Sequence, residues 1–146
     1  MREILFRAKR IDNGEWVEGY LVRGNRTYII TLEAANYMVV SLSCMASVQF
    51  VEVIPETVGQ FTGLTDKNGT KIFEGDIVIS HSRSVDENDG PAQIEWDEDT
   101  ARFIIVWNTL LADFDNFYSH DLEVVGNIHD NPELLESEVT NEDQEN

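Results

Sequence analysis

Ile4-Leu-Phe-Arg-Ala8 is followed by Asp12-Asn13-Gly14 and then by Trp16-Val-Glu-Gly-Tyr-Leu-Val22. Asn-Gly between two alternating segments predicts a β-hairpin, because Asn and Gly accept the positive φ of a type I′ turn. In the second segment Trp16, Glu18, Tyr20 and Val22 fall on one side of an extended chain. That side is mainly apolar and is read as the half-buried face. Gly24-Asn25 separates Leu21-Val22 from Thr27-Tyr-Ile-Ile30, which predicts a second hairpin.

The same punctuation continues along the chain. Leu32–Met38 has room for one helical turn, and Val48–Ile54 reads as a strand closed by Pro55. Thr57-Val-Gly-Gln-Phe-Thr-Gly-Leu64 carries two glycines that predict bends or close backbone approach. Asp66-Lys-Asn-Gly69 is a further turn, leading into Lys71-Ile-Phe-Glu-Gly-Asp-Ile-Val-Ile79. Ser80–Pro91 is a polar loop, and Asp97-Glu-Asp-Thr100 joins Ala92–Trp96 to Ala101–Trp107 as a hairpin. Leu110, Leu111, Phe114 and Phe117 stand at helix-like spacing within Asn108–Tyr118, and Leu122–Ile128 is the last strand. Asn131-Pro-Glu-Leu-Leu135 combines an Asn cap, Pro at the first helical position and Glu in the first turn, which predicts a short helix.

About seven or eight short strands with closely spaced turns and no strand–helix rhythm predict a mainly β fold. The break at Pro55-Glu56 divides it into an N-terminal β-meander (residues 1–55) and a second β unit (56–137), followed by an acidic tail (138–146).

Composition narrows the function. Across 146 residues, 28 Asp and Glu face 10 Lys and Arg, a net charge of −18. Such a surface stays soluble and repels phosphate backbones and anionic membranes, which argues against a nucleic-acid or membrane partner. Residues 1–26 alone are net basic, six cations against four carboxylates, so the remainder carries −20. This asymmetry invites contacts in which a basic edge meets acidic surface on another copy; the preferred reading of the basic stretch itself is a charged edge strand that discourages aggregation. Cys44 is the single cysteine and lies in an apolar stretch, so no intrachain disulfide forms and the thiol is read as a small hydrophobe without a chemical role. No leader and no apolar run of transmembrane length is evident, which predicts a cytoplasmic protein.

Four blocks follow one another along the chain: Thr57-Val-Gly-Gln-Phe-Thr-Gly-Leu64, Asp66-Lys-Asn-Gly69, Ile72-Phe-Glu-Gly-Asp-Ile-Val78 and Val125-Gly-Asn-Ile-His-Asp-Asn-Pro-Glu-Leu-Leu135. With Arg7-Ala-Lys9 and Trp16-Val-Glu-Gly19, the chain resembles the YopX family, small proteins of phages and prophages. The resemblance implies an all-β protein in which the second unit is a small SH3-like barrel, a homo-oligomeric state and a bacterial host cytoplasm. It implies no catalytic, cofactor-binding or metal-binding residues.

The chemistry-bearing residues point the same way. Glu74 and Asp76 would share a face in an extended strand, but the preferred reading is a bend at Gly75 with Asp76 bonded to backbone donors. Asp86-Glu-Asn-Asp-Gly90 fails as a calcium loop, since counting from Asp86 the position that needs glycine holds Pro91. His81, His120 and His129 match no metal-ligand spacing. Gly59 and Gly63 lack the Lys and helix start of a phosphate loop. Trp16, Trp96 and Trp107 are read as core, with an aromatic groove including Tyr20 and Phe103 as the alternative. The expected function is therefore a non-catalytic oligomeric binding or modulator protein whose partner is a host or phage protein. The alternatives are a metal-dependent hydrolase or nuclease using Glu74, Asp76 and other carboxylates, and an acidic DNA mimic.

Overall fold

The structure, a computed structural model, describes residues 2–31, 50–81, 90–107, 111–114 and 120–136. The readings of Leu32–Met38, Cys44, the Asp86 loop and the tail lie outside the described residues. The fold is mainly β: the described residues form eleven strands in two antiparallel sheets, with helical residues at 133–136. This exceeds the expected strand count because Lys71–Ile79 is split at Glu74-Gly75 and because Gly59–Thr65 and Leu111–Asp113 are strands as well.

The first sheet begins with β1 (Phe6–Lys9), β2 (Trp16–Arg23), β3 (Thr27–Thr31) and β4 (Val51–Glu52). Its first hairpin forms, but not through the expected type I′ turn: Gly14 alone takes a positive φ (+72°) while Asn13 does not, the Gly14 N–H reaches back to the Arg10 carbonyl at 3.0 Å, and Asn13 Oδ1 accepts the Glu15 N–H at 2.9 Å. After β4 the chain returns to the end of β1. The Ile54 N–H donates to the Lys9 carbonyl at 2.8 Å, and Arg10 bridges Val53. The 3-10 turn Pro55–Thr57 fixes this return, since Thr57 Oγ1 accepts the Lys9 N–H (2.9 Å) and donates to the Ile54 carbonyl (2.7 Å).

The core of this first unit is Ala8, Ile29 and Val53, with Phe6, Val17, Leu21, Val51 and Val58 packed on it. The buried face of β2 is thus Val17-Gly19-Leu21, and the face read as half-buried is the outer one. Both faces of β2 alternate apolar residues, so the period-2 pattern alone cannot choose between them. Gly19 decides it. A Cβ there would collide with the Ile30 carbonyl oxygen and come within 2.9 Å of Thr31 Cα, so β3 closes on this face.

β5 (Gly59–Thr65) pairs with β1 through Phe6↔Gln60 and Arg7↔Gly59, and β6 (Lys71–Phe73) lies on its other side. The glycine-bearing stretch is a strand that bends at Gly63, where φ is +91°. The second sheet holds β7 (Asp76–Ser80), β8 (Ala92–Asp97), β9 (Arg102–Val106), β10 (Leu111–Asp113) and β11 (Leu122–Asn127), in the order β10-β9-β8-β7-β11. Its core comprises Ile72, Val78, Ala92, Ile94, Ile105, Trp107 and Leu122. Both sheets have linear strand orders, and neither closes into a barrel among the described residues.

The helix-like spacing over Asn108–Tyr118 is corrected at β10, where Leu111, Ala112 and Asp113 pair with Val106, Ile105 and Ile104. An available ladder on β9 outweighs a weak local preference. The chain forms two compact units dividing between Phe61 and Thr62, inside β5. The break read at Pro55-Glu56 is the 3-10 turn.

Candidate functional site

The acidic pair falls at a corner rather than along a strand. β6 belongs to the first sheet and β7 to the second, so the chain changes sheets at Glu74-Gly75. Gly75 takes φ +91°, a conformation costly for L-residues, and its carbonyl and N–H bond Ile128 N–H and the Ile94 carbonyl. Asp76 is 1% exposed, and its Oδ2 accepts the Phe73 N–H at 2.8 Å. The carboxylate therefore closes the corner as the backbone-bonding reading required, and the shared strand face for Glu74 and Asp76 does not form. Replacing Asp76 by alanine orphans a buried amide, and the expected cost is about 1–3 kcal/mol. Thermal unfolding of the variant checks it.

A second buried carboxylate, Asp66, is one that sequence reasoning took only for a turn residue. It is 4% exposed. Its Oδ1 accepts the Asn68 and Thr70 N–H groups, and its Oδ2 accepts the Val124 N–H, each at 2.9 Å. Burial pushes its carboxyl up, but the three backbone donors and the charge of Lys67 pull it down, and the net shift is below the ordinary value. The Asp-x-Asn-Gly spelling was the available signal, because an Asx side chain commonly bonds amides two residues on. The long-range bond to Val124 had no local signature.

The histidines do not converge. His81 Nε2 lies 3.2 Å from Glu123 Oε2, with Lys67 Nζ 4.0 Å from the same oxygen, all on the surface. His129 belongs to the turn after β11, its N–H bonded to Asn127 Oδ1 at 3.0 Å, and His120 is exposed. Among the described residues no three His, Cys, Asp or Glu side chains gather as a metal site.

The aromatics separate into three kinds. Trp107 is core. Trp96 is 43% exposed and meets Phe103 edge-on across the β8–β9 ladder, with 5.0 Å between centroids, which corrects its core reading. Trp16 is half-buried beneath two cations of β1, Arg7 at 4.8 Å and Lys9 at 5.5 Å from its ring centre. On the same outer face Tyr20 is 48% and Val22 37% exposed, and their β3 partners are Ile30 and Tyr28. This face sets Trp16, Tyr20 and Val22 of β2 against Tyr28 and Ile30 of β3, with the stacked cations at one end. It is amphipathic.

A hollow of ≈ 230 Å³ near the first hairpin is lined by Arg10, Ile11, Asp12, Phe50, Val51 and Glu52. Its charges are mostly matched internally. The Arg10 guanidinium bonds both Asp12 oxygens (2.9 and 2.7 Å) and holds that carboxyl below its usual range, and Arg26 lies 3.5 Å from Glu52. No helix among the described residues is long and apolar enough to cross a membrane.

Two antiparallel sheets joined by a sheet-switching corner, with buried carboxylates bonded to backbone amides, define a small mainly β protein. The chain belongs to the YopX family, described as YopX protein, whose profile matches residues 5–136. No curated protein matches the chain. Among solved structures it is similar to the crystal structure of protein EF1440 from Enterococcus faecalis, at 25% identity and a TM-score of 0.56. That likeness covers 92% of this chain and 99% of the other.

Proposed function

We propose that the chain is a non-catalytic, phage- or prophage-encoded binding module that works in the bacterial cytoplasm through protein contacts, first of all with further copies of itself. The observation that carries this reading is the outer face of β2 and β3. Tyr20 and Val22 stand open to solvent on the same strand face as Trp16 and its two cations. Large aromatics beside cations are the residue types that dominate contact energy at protein interfaces. A charge of −18, net basic only over residues 1–26, supplies the complementarity for copy-to-copy contact and disfavours nucleic acid.

The burial of Asp76 and its bond to Phe73 support leaving Glu74 and Asp76 outside any metal chemistry. The SH3-like kinship of the second unit is part of the same proposal. Its support is connectivity: β7-β8-β9-β10 run as a meander and β11 returns beside β7, the order of an SH3-like barrel.

Light scattering at tens of micromolar protein and low salt tests the reading, and a mass above that of one chain is expected. Tyr20→Glu combined with Val22→Glu should shift the mass toward a single chain with the fold retained, since both side chains point to solvent. A single-chain mass for the parent protein overturns the oligomeric reading. Tight stoichiometric binding of Mg²⁺, Mn²⁺ or Zn²⁺ would instead favour the hydrolase alternative.

A further inference from the structure

We propose that the turn 66–69 is a plug on the open edge of β11, and that it prevents this edge from pairing with the same edge of a second copy. Among the described residues β11 ends the second sheet, so one of its edges has no strand beside it. An uncovered strand edge presents amides and carbonyls that recruit another strand. Here two of those groups are already met. The Leu122 carbonyl accepts the Lys67 N–H at 2.9 Å, and the Val124 N–H donates to Asp66 Oδ2 at 2.9 Å. A donor from one residue and an acceptor from its neighbour thus reproduce what a residue of an adjacent strand would offer, using a side-chain carboxylate in place of a carbonyl.

The plug is stiff. Asp66 Oδ1 takes the Asn68 and Thr70 amides, the Asp66 N–H bonds the Thr70 carbonyl at 2.8 Å, and the Gly69 N–H bonds the Asp66 carbonyl at 3.0 Å. The far end of β11 is stopped separately, by Asn131 Oδ1 accepting the Asn127 N–H at 3.3 Å.

The occupant held off is a second copy for a geometric reason. An outward carbonyl at Leu122 and an outward N–H at Val124 are two residues apart. In antiparallel pairing about a twofold axis, each copy's donor meets the other's acceptor. Leu122, Val124 and Val125 also make the edge strongly β-prone, with Glu123 as the charge between them.

The full chain carrying Asp66→Asn tests the plug. Asparagine keeps one oxygen for the Asn68 and Thr70 amides but turns an NH₂ toward the Val124 N–H, donor against donor. The expected result is a folded protein by near-UV circular dichroism, with the Val124 amide exchanging about tenfold faster or more. Its mass by light scattering should rise with concentration above that of the parent chain at equal concentration. Adding Val124→Pro removes the outward N–H, which the β7 ladder does not use, and should return the mass to the parent value.

Three results overturn the proposal: an unchanged mass at matched fold, a mass gain that survives Val124→Pro, or loss of the fold in both Asp66→Asn and Asp66→Ser, which would make Asp66 a folding requirement and nothing more. Because the readout is the change from the parent chain, it stands apart from whether the parent itself self-associates.

Discussion

A chain carrying Gly19→Ala is expected to lose about 3 kcal/mol of stability, the upper range for forcing atoms into a packed region. The added Cβ would strike the Ile30 carbonyl oxygen, with its carbon at 2.8 Å and Thr31 Cα at 2.9 Å. All three are backbone atoms of β3, so no side chain can rotate away. Relief requires β3 to move off β2, and that breaks the ladder Gly19↔Thr31 through Arg23↔Thr27. It also opens the cluster around Ile29, a residue with no exposed surface. Urea unfolding should show a midpoint lower by about 1 M or more with an unchanged slope. A midpoint within 0.2 M of the parent, roughly the scatter of such measurements, would show that the sheet tolerates the extra atom.

Asp66→Ala should be nearly as damaging, with an expected loss of about 3 kcal/mol, because three backbone amides lose their acceptor together. The same carboxylate makes stability depend on pH. Its folded pKa lies below the ordinary value, so its contribution is complete above the unfolded pKa, about 4. It is lost as pH falls through the lower folded value. Denaturation midpoints measured from about pH 6 to pH 2 should therefore decline below about pH 4, and decline less in Asp66→Ala. Parallel acid profiles for the two proteins would place the acid sensitivity elsewhere.

Turn chemistry was legible where backbone conformation depends on one or two residues. Asn13-Gly14, Asn68-Gly69 and the Asp97–Thr100 connection all close as turns between antiparallel or adjoining strands. Pro132 also marks the start of the helical residues. Asn131 does something different from the cap its position suggested: its side-chain oxygen reaches back to Asn127 and forms part of the turn after β11. The face of β2 was not legible, because Trp16, Tyr20 and Val22 compete with Val17 and Leu21 for the core. Only the approach of β3 at Gly19 resolves the competition. β10 was missed since three residues cannot display a period, and their state is set by β9. Of the buried carboxylates, Asp76 was readable from its neighbouring glycine. The reach of Asp66 to Val124 spans 58 positions, and no local pattern encodes it.

The division between the two units falls inside β5, between Phe61 and Thr62, and not in a linker. In most two-part proteins a recombination event can move one part between genes, because the join is a dispensable tether. Here any crossover at the boundary severs a seven-residue strand whose first residues pair with β1 and whose Thr62 hydroxyl bonds the Ile72 carbonyl. Neither fragment inherits the whole of β5. Lineages carrying this protein should accordingly exchange it as one indivisible cassette, with insertions tolerated in its loops and fission disfavoured at its middle.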